Sequence, residues 1–327
     1  MSDVIDEVVN ASRNWAGDAP TGAMLSALRA FLAAAEKDES VVREAAAVLV
    51  AQSTGSIAWM SLSFGTWVER GGPAALTGPA VLEQLLAWLP KLPTPDVTQP
   101  KPDPTPAQKR LLTQFPFLCQ SVVTHLARMP VVRASMGQDA ALLQRLDVLG
   151  AYSNGAWWVH EALVKSSGTL VLLHPPSGTG LRLSYTNVSN NFHLFSLLQT
   201  AVGTSLPGGR VPDETVAFVA RGKSSEAVGD EAWWHYGNAS SPTPDVMQSI
   251  WGEWLARDIP RVNGEQVILL WPMILKQRLW EAAFLGPHLE AMPADASIER
   301  MLTPDECAAW LNTLGIGKPR KPWWRIW

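Results

Sequence analysis

One stretch limits the architecture of this chain more than any other: Gly168 to Gly203. Thr169 to His174 is a short apolar run that reads as a buried strand, and Pro175-Pro176-Ser177-Gly178-Thr179-Gly180 turns the chain back. Leu181, Leu183 and Tyr185 then alternate with Arg182, Ser184 and Thr186, so the return strand has one apolar and one polar face. A polar knot, Asn187 to Asn191, opens a helix that runs to Val202. On a helical wheel Phe192, Leu194, Phe195, Leu197, Leu198, Ala201 and Val202 cover most of the circumference. Only His193, Ser196 and Thr200 form a narrow polar stripe. A helix this apolar has to be enclosed on nearly all sides, so the hairpin and its helix are expected to form the nucleus of the second half.

The residues around that nucleus set the fold class. Glu214 to Ala220 reads as a strand, and Gly264 to Trp271 as a buried strand stopped by Pro272. The last helix carries a strong start signal: Thr303 as N-cap, Pro304 as the first helical residue and Glu306 closing a capping box, with Leu302 stapled onto Cys307. Strands joined by turns and helices without a regular βαβ rhythm point to an α+β domain with a small, largely antiparallel sheet over residues 166–327.

The first ninety residues read as a helical bundle, residues 1–92. Met24, Leu25, Leu28, Phe31, Leu32 and Ala35 recur at three- and four-residue steps, and Ser40 is placed to cap a helix through Val41, Ala45 and Val48. Ile57 to Val68 is a buried helix ending at Gly71-Gly72-Pro73. Thr77-Gly78-Pro79 starts another, with Val81, Leu82, Leu85, Leu86 and Leu89 inward. Residues 93–106 form the clearest boundary: six of the fourteen are Pro. In polyproline II geometry they act as a stiff spacer of roughly 40 Å. Residues 107–165 are helical again, with a kink or break at Pro116, and belong with either neighbour.

Composition narrows the function mainly by exclusion. The net charge is −4, with 26 Lys and Arg against 30 Asp and Glu, which argues against nucleic-acid binding. Two cysteines build no disulfide framework, and the apolar runs Ile57–Val68 and Val267–Leu275 are too short to cross a bilayer. With an acidic start and an Ala-, Pro- and Arg-rich composition, these features fit a protein of the bacterial cytoplasm.

No catalytic set is evident. Ala217 to Ser224 satisfies a relaxed phosphate-loop pattern, but Ala stands where the loop needs Gly, and the run reads as a strand end before a basic turn. Cys119 and His125 lie about 120° apart on one helix, and Cys307 sits on a core stripe. The six histidines (125, 160, 174, 193, 235 and 288) show no metal-ligand spacing, so neither metal nor cofactor is expected. His193 and Ser196 share a helical face, but no Gly-x-Ser-x-Gly is present, and His193 with Asn190 or Asn191 is expected to tie the helix start to the hairpin. Asp230 and Glu231, before Trp233-Trp234-His235, read as a solvated turn.

The 16 Trp beside 3 Tyr remain. Trp157-Trp158, Trp233-Trp234 and Trp323-Trp324 are adjacent pairs, and Trp251 and Trp254 are three apart. The C-terminal ten residues, Lys318 to Trp327, are basic and aromatic. Trp is frequent both in cores and in interface hot spots. The expectation is therefore a protein-binding or regulatory protein with Trp-rich contact surfaces, which also suit self-association. One alternative is a hydrolase or transferase with a site assembled near Asn187–His193 and Trp233–Tyr236, drawing on Asn190, Asn191, His193, Ser196 and His235. Another is a sugar- or nucleotide-binding module with the Trp pairs as stacking platforms.

Overall fold

The computed structural model describes residues 3–316, apart from 16, 18, 95–102, 225 and 285–289. Most of the Pro-rich spacer and the whole basic-aromatic tail thus lie outside the described residues. The protein is α+β, with its N-terminal half helical and its sheets in the C-terminal half. It divides into two compact units, Met1–Val164 and Lys165–Trp327; the helices from Pro106 to Val164 fall in the first.

The first unit comprises α1 (Asp3–Ser12), α2 (Gly22–Ala35), α3 (Glu39–Val48), α4 (Thr54–Glu69), α5 (Ala74–Trp88), α6 (Pro106–Arg128), α7 (Pro130–Met136), α8 (Ala140–Gly150) and α9 (Asn154–Val164). Helix α4 is enclosed almost all round, burying Ile57, Trp59, Met60, Phe64, Trp67 and Val68. It packs closely on α6: a Cβ at Gly65 would stand 3.1 Å from the Ser121 Cα. Three local expectations need correction. Asp38, not Ser40, caps α3, because its carboxylate accepts from the Ser40 N–H at 2.8 Å. Helix α5 begins at Ala74 and runs through Pro79, which leaves Leu86 exposed. Helix α6 likewise continues past Pro116 without a break.

In the second unit, β1 (Ser166–His174) and β2 (Thr179–Val188) form the expected antiparallel hairpin, and β6 (Glu265–Trp271) adds parallel to β1. The other strands of this sheet are β4 (His235–Asn238), β5 (Arg261–Val262) and β8 (Asp295–Met301). Its order is β4-β6-β1-β2-β8, with β5 joined to β6 through Asn263 and Gly264, both at positive φ as a two-residue hairpin turn requires. Alternation along β1 and β6 sorts the core. Leu170, Leu172, Ile268 and Leu270 pack on the side of α10 (Asn191–Val202), while Val171, Leu173, Val267 and Leu269 pack with Leu302 and Cys307 of α12 (Pro304–Thr313) and its approach. Each such buried aliphatic side chain contributes about 1.5–3 kcal/mol, so the hairpin and α10 form a strong nucleus.

Glu214–Ala220 is not a strand. It is a short helix, α11, because the Asp213 carboxylate accepts from the Thr215 and Val216 N–H groups, and Val216, Val219 and Ala220 then turn inward at helical spacing. A separate two-stranded sheet pairs β3 (Val228–Glu231) with β7 (Leu279–Ala282), and its register sets Asp230 opposite Trp280 and Glu231 opposite Leu279. Asp230 and Glu231 are therefore strand residues rather than a turn. This small sheet, α10 and α11 frame the site described next.

Candidate functional site

A cleft in the second unit has a volume of about 490 Å³. Its floor is polar and comes from three elements. Helix α10 supplies Ser196 and Gln199, β3 supplies Asp230, and β7 supplies Trp280. Trp233 and Val216 line it, with Val211 and Leu279 at the rim.

The wall between α10 and α11 is fixed by close packing. Gly203 takes a positive φ of 51°, and a Cβ on Gly209 would fall 1.9 Å from the Gly203 carbonyl oxygen, so only glycine permits that crossing. The Trp234 indole donates to the Pro207 carbonyl at 2.8 Å and anchors the same loop. Arg210, Val211, Pro212 and Asp213 are thereby held along one side of the cleft.

The floor is a directed hydrogen-bond network. The Trp280 indole N–H donates to Ser196 Oγ at 3.0 Å, and Ser196 Oγ donates to Asp230 Oδ2 at 2.6 Å. From the other side, the Tyr236 hydroxyl and the Trp233 backbone N–H donate to Gln199 Oε1 at 2.7 and 3.0 Å. The backbone N–H can only donate, which fixes the amide orientation, and Gln199 Nε2 faces Asp230 Oδ1 at 3.3 Å. The Glu231 N–H adds a bond to Oδ1 at 2.8 Å. Every chain of donors ends on the Asp230 carboxylate.

These donors are neutral. Burial raises the Asp230 pKa, its hydrogen bonds lower it, and the nearby charge of Glu231 raises it further. Among the described residues no Lys or Arg forms an ion pair with Asp230; the cleft's guanidinium, Arg210, pairs with Glu231 instead. The lining holds three carboxylates, Asp213, Asp230 and Glu231, against that one cation.

Of the polar residues expected from the sequence, only Ser196 reaches this cleft. Asn190 caps α10, accepting from the His193 N–H at 2.9 Å. Asn191 is buried and donates to the Trp251 carbonyl at 2.8 Å. His193 is also buried: Nδ1 accepts from the Ser189 N–H, Nε2 donates to the Ala220 carbonyl at 2.7 Å, and the ring stacks on Phe284. Desolvation lowers its pKa to about 3. His235 is buried in β4 opposite Trp271. His193 thus ties the helix start to Ser189 and to Ala220 of α11, and Asn191 ties it to Trp251, rather than to the strands of the hairpin.

The indoles are dispersed. Trp157 (43% exposed) and the half-buried Trp158 lie on α9 of the first unit. In the second unit Trp233 lines the cleft, Trp234 is buried, and Trp251 lies beneath the Arg278 guanidinium at 5.8 Å, while Trp254 is 55% exposed. Trp233 and Trp234 are tilted by 56° rather than parallel. Trp323 and Trp324, like His288, lie outside the described residues. The residues that sequence reading passed over are Gln199, Asp230 and Trp280. Asp230 and Trp280 face each other only through a pairing of strands fifty residues apart, which no local pattern announces.

Among the described residues no cluster of His, Cys, Asp or Glu is arranged to hold a metal ion, and no helix is long and apolar enough to cross a membrane. Comparison with protein-family models, curated proteins and solved structures found no match for this chain.

Proposed function

We propose that this protein works by binding a partner protein through its C-terminal unit, with the cleft between α10, α11 and the β3–β7 pair as the anchoring pocket. The observation that carries this reading is the rim. Val211 is 82% exposed and Leu279 is 59% exposed, apolar side chains left in water at the mouth of a cleft with a polar, carboxylate-bearing floor. Exposed apolar side chains beside a pocket that seats one side chain mark a contact surface, where they exclude water once a partner docks. The cleft's volume of about 490 Å³ suits such an anchor.

Photo-crosslinking tests this directly. A crosslinking amino acid at Val211 should capture a discrete protein in host cells, while the same group at the exposed Val131 of α7 should not. The Leu279→Asp variant should remove the product. If Val211 gives no discrete product, the reading fails.

A second reading, a hydrolase or transferase using Asp230 as a general acid–base, draws on the raised pKa of a carboxylate in a cleft. It is the weaker of the two. Ser196 Oγ already donates to Asp230 and accepts from Trp280, so its proton is committed and no imidazole stands beside it.

A further inference from the structure

We infer that the cleft floor is built to receive a cationic side chain, an Arg or Lys of the partner protein, against the Asp230 carboxylate. The inference rests on the protein-binding reading above and names the chemistry of what is bound.

Asp230 is half-buried and held only by neutral donors: Ser196 Oγ at 2.6 Å, Gln199 Nε2 at 3.3 Å and the Glu231 N–H at 2.8 Å. At Asp230 the neutral hydrogen bonds offset burial only in part, and a guanidinium or ammonium would add charge-assisted hydrogen bonds. A carboxylate has about four acceptor positions and, among the described residues, only three donors reach this one, Gln199 Nε2 spanning both oxygens at 3.3 and 3.5 Å, so a further donor from the cleft can be accepted. The cation already in the cleft, Arg210, pairs with Glu231 at the rim and not with Asp230. With Asp213 also lining the cleft, the site keeps an excess of negative charge. The walls match the rest of such a side chain: Val211, Val216, Trp233 and Leu279 offer an apolar passage for its methylene stem. The exposure of Val211 and Leu279 selects the source. A free amine small enough to reach Asp230 would leave that rim uncovered, whereas a residue presented by a partner chain brings the surface that covers it.

The test uses the full-length protein and two neutral-backbone probes, N-acetyl-arginine methylamide and N-acetyl-citrulline methylamide. They share shape and differ in charge. Binding is followed by the NMR shift of the Trp280 indole N–H. The arginine probe should bind at least about ten-fold more tightly than the citrulline probe, and Asp230→Asn should remove that preference. Equal binding of the two probes, no binding of either, or an arginine preference that survives Asp230→Asn would each overturn the inference. The crosslinking experiment keeps the two proposals apart. A product at Val211 that is lost with Leu279→Asp but unaffected by Asp230→Asn leaves protein binding standing and removes the cationic anchor. Absence of any product at Val211 removes the binding reading itself.

Discussion

Two polar clusters, one in each unit of the molecule, are built differently. In the helical unit His125 is wholly buried, with Nε2 2.7 Å from Thr77 Oγ1 and Nδ1 2.7 Å from the Ser121 carbonyl. The carbonyl can only accept, so Nδ1 carries the proton and Nε2 accepts from Thr77: both ring nitrogens are satisfied and the cluster is closed. In the α+β unit the donors converge on Asp230, a charged group with spare acceptor capacity facing a cleft. Burying polar groups is costly in both places. A closed cluster recovers that cost through its own bonds and serves the fold; an open one recovers part of it that way and leaves the rest to water or a ligand.

Acid should separate the two most strongly. Burial lowers the His125 pKa to about 4, with the nearby charges of Arg128 and Glu69 acting in opposite directions. The unfolded chain, with an ordinary histidine pKa of about 6.5, binds more protons between those values, so stability rises with pH across that window. The stabilisation is complete above about pH 6.5 and is lost as pH falls toward 4, a change on the order of 3 kcal/mol. His193 in the other unit, lowered to about 3, adds a slope of the same sign, so the informative quantity is the difference between the native protein and His125→Gln. Urea unfolding at pH 7 and pH 4.5 should show a shallower pH dependence in the variant. An unchanged slope would mean that His125 is not sealed as described.

Removing one hydroxyl from each cluster should give a smaller and unequal effect. Thr77→Val leaves the His125 Nε2 without a donor where water cannot reach, and should cost about 2 kcal/mol at pH 7. Ser196→Ala removes one donor from Asp230 and the acceptor of the Trp280 indole, but water can enter the cleft and replace both bonds, so the loss should stay near or below about 1 kcal/mol. Denaturation midpoints at matched m-values decide the order. Equal losses would abolish the distinction between closed and open.

How much of this was legible in the sequence follows from how local each signal is. The β1–β2 hairpin, the enclosed helix after Asn190 and the capping box at Thr303 and Glu306 are written within one element, by alternation, turn residues and cap chemistry, and their bounds differ little from the expectation. Glu214–Ala220 was misread because a seven-residue run with Val216, Phe218 and Val219 satisfies strand propensity. Asp213 as N-cap, and Phe218 left exposed between buried neighbours, decide for helix. The cleft was less legible still. Ser196 and Asp230 are 34 residues apart, and Trp280 is 84 from Ser196. A pair such as Asp230-Glu231 looks like a solvated turn until β7 is known to lie beside it. Long-range pairing carries no periodicity of its own.

The smallest expected change in stability is also the most discriminating. In Asp230→Asn the amide oxygen still accepts from the Glu231 N–H, while the amide N–H donates to Ser196 Oγ, whose own proton then turns into the cleft. Shape and bond count are nearly kept, and only the charge is lost. The folded-state pKa of Asp230 is raised above its unfolded value, so folding takes up a proton between the two. The ionised carboxylate therefore weakens the fold at neutral pH, and that penalty fades as pH falls through the raised pKa toward about 3.9, the ordinary value. Asp230→Asn should accordingly lie within about 0.5 kcal/mol of the native protein at pH 7, or be slightly more stable, and should lose any advantage by about pH 4. A loss of more than about 2 kcal/mol in urea unfolding at pH 7 would place Asp230 with His125, as a group the fold depends on. Near-neutrality, joined to loss of the arginine probe, would mark the carboxylate as one the fold tolerates for the sake of what it binds.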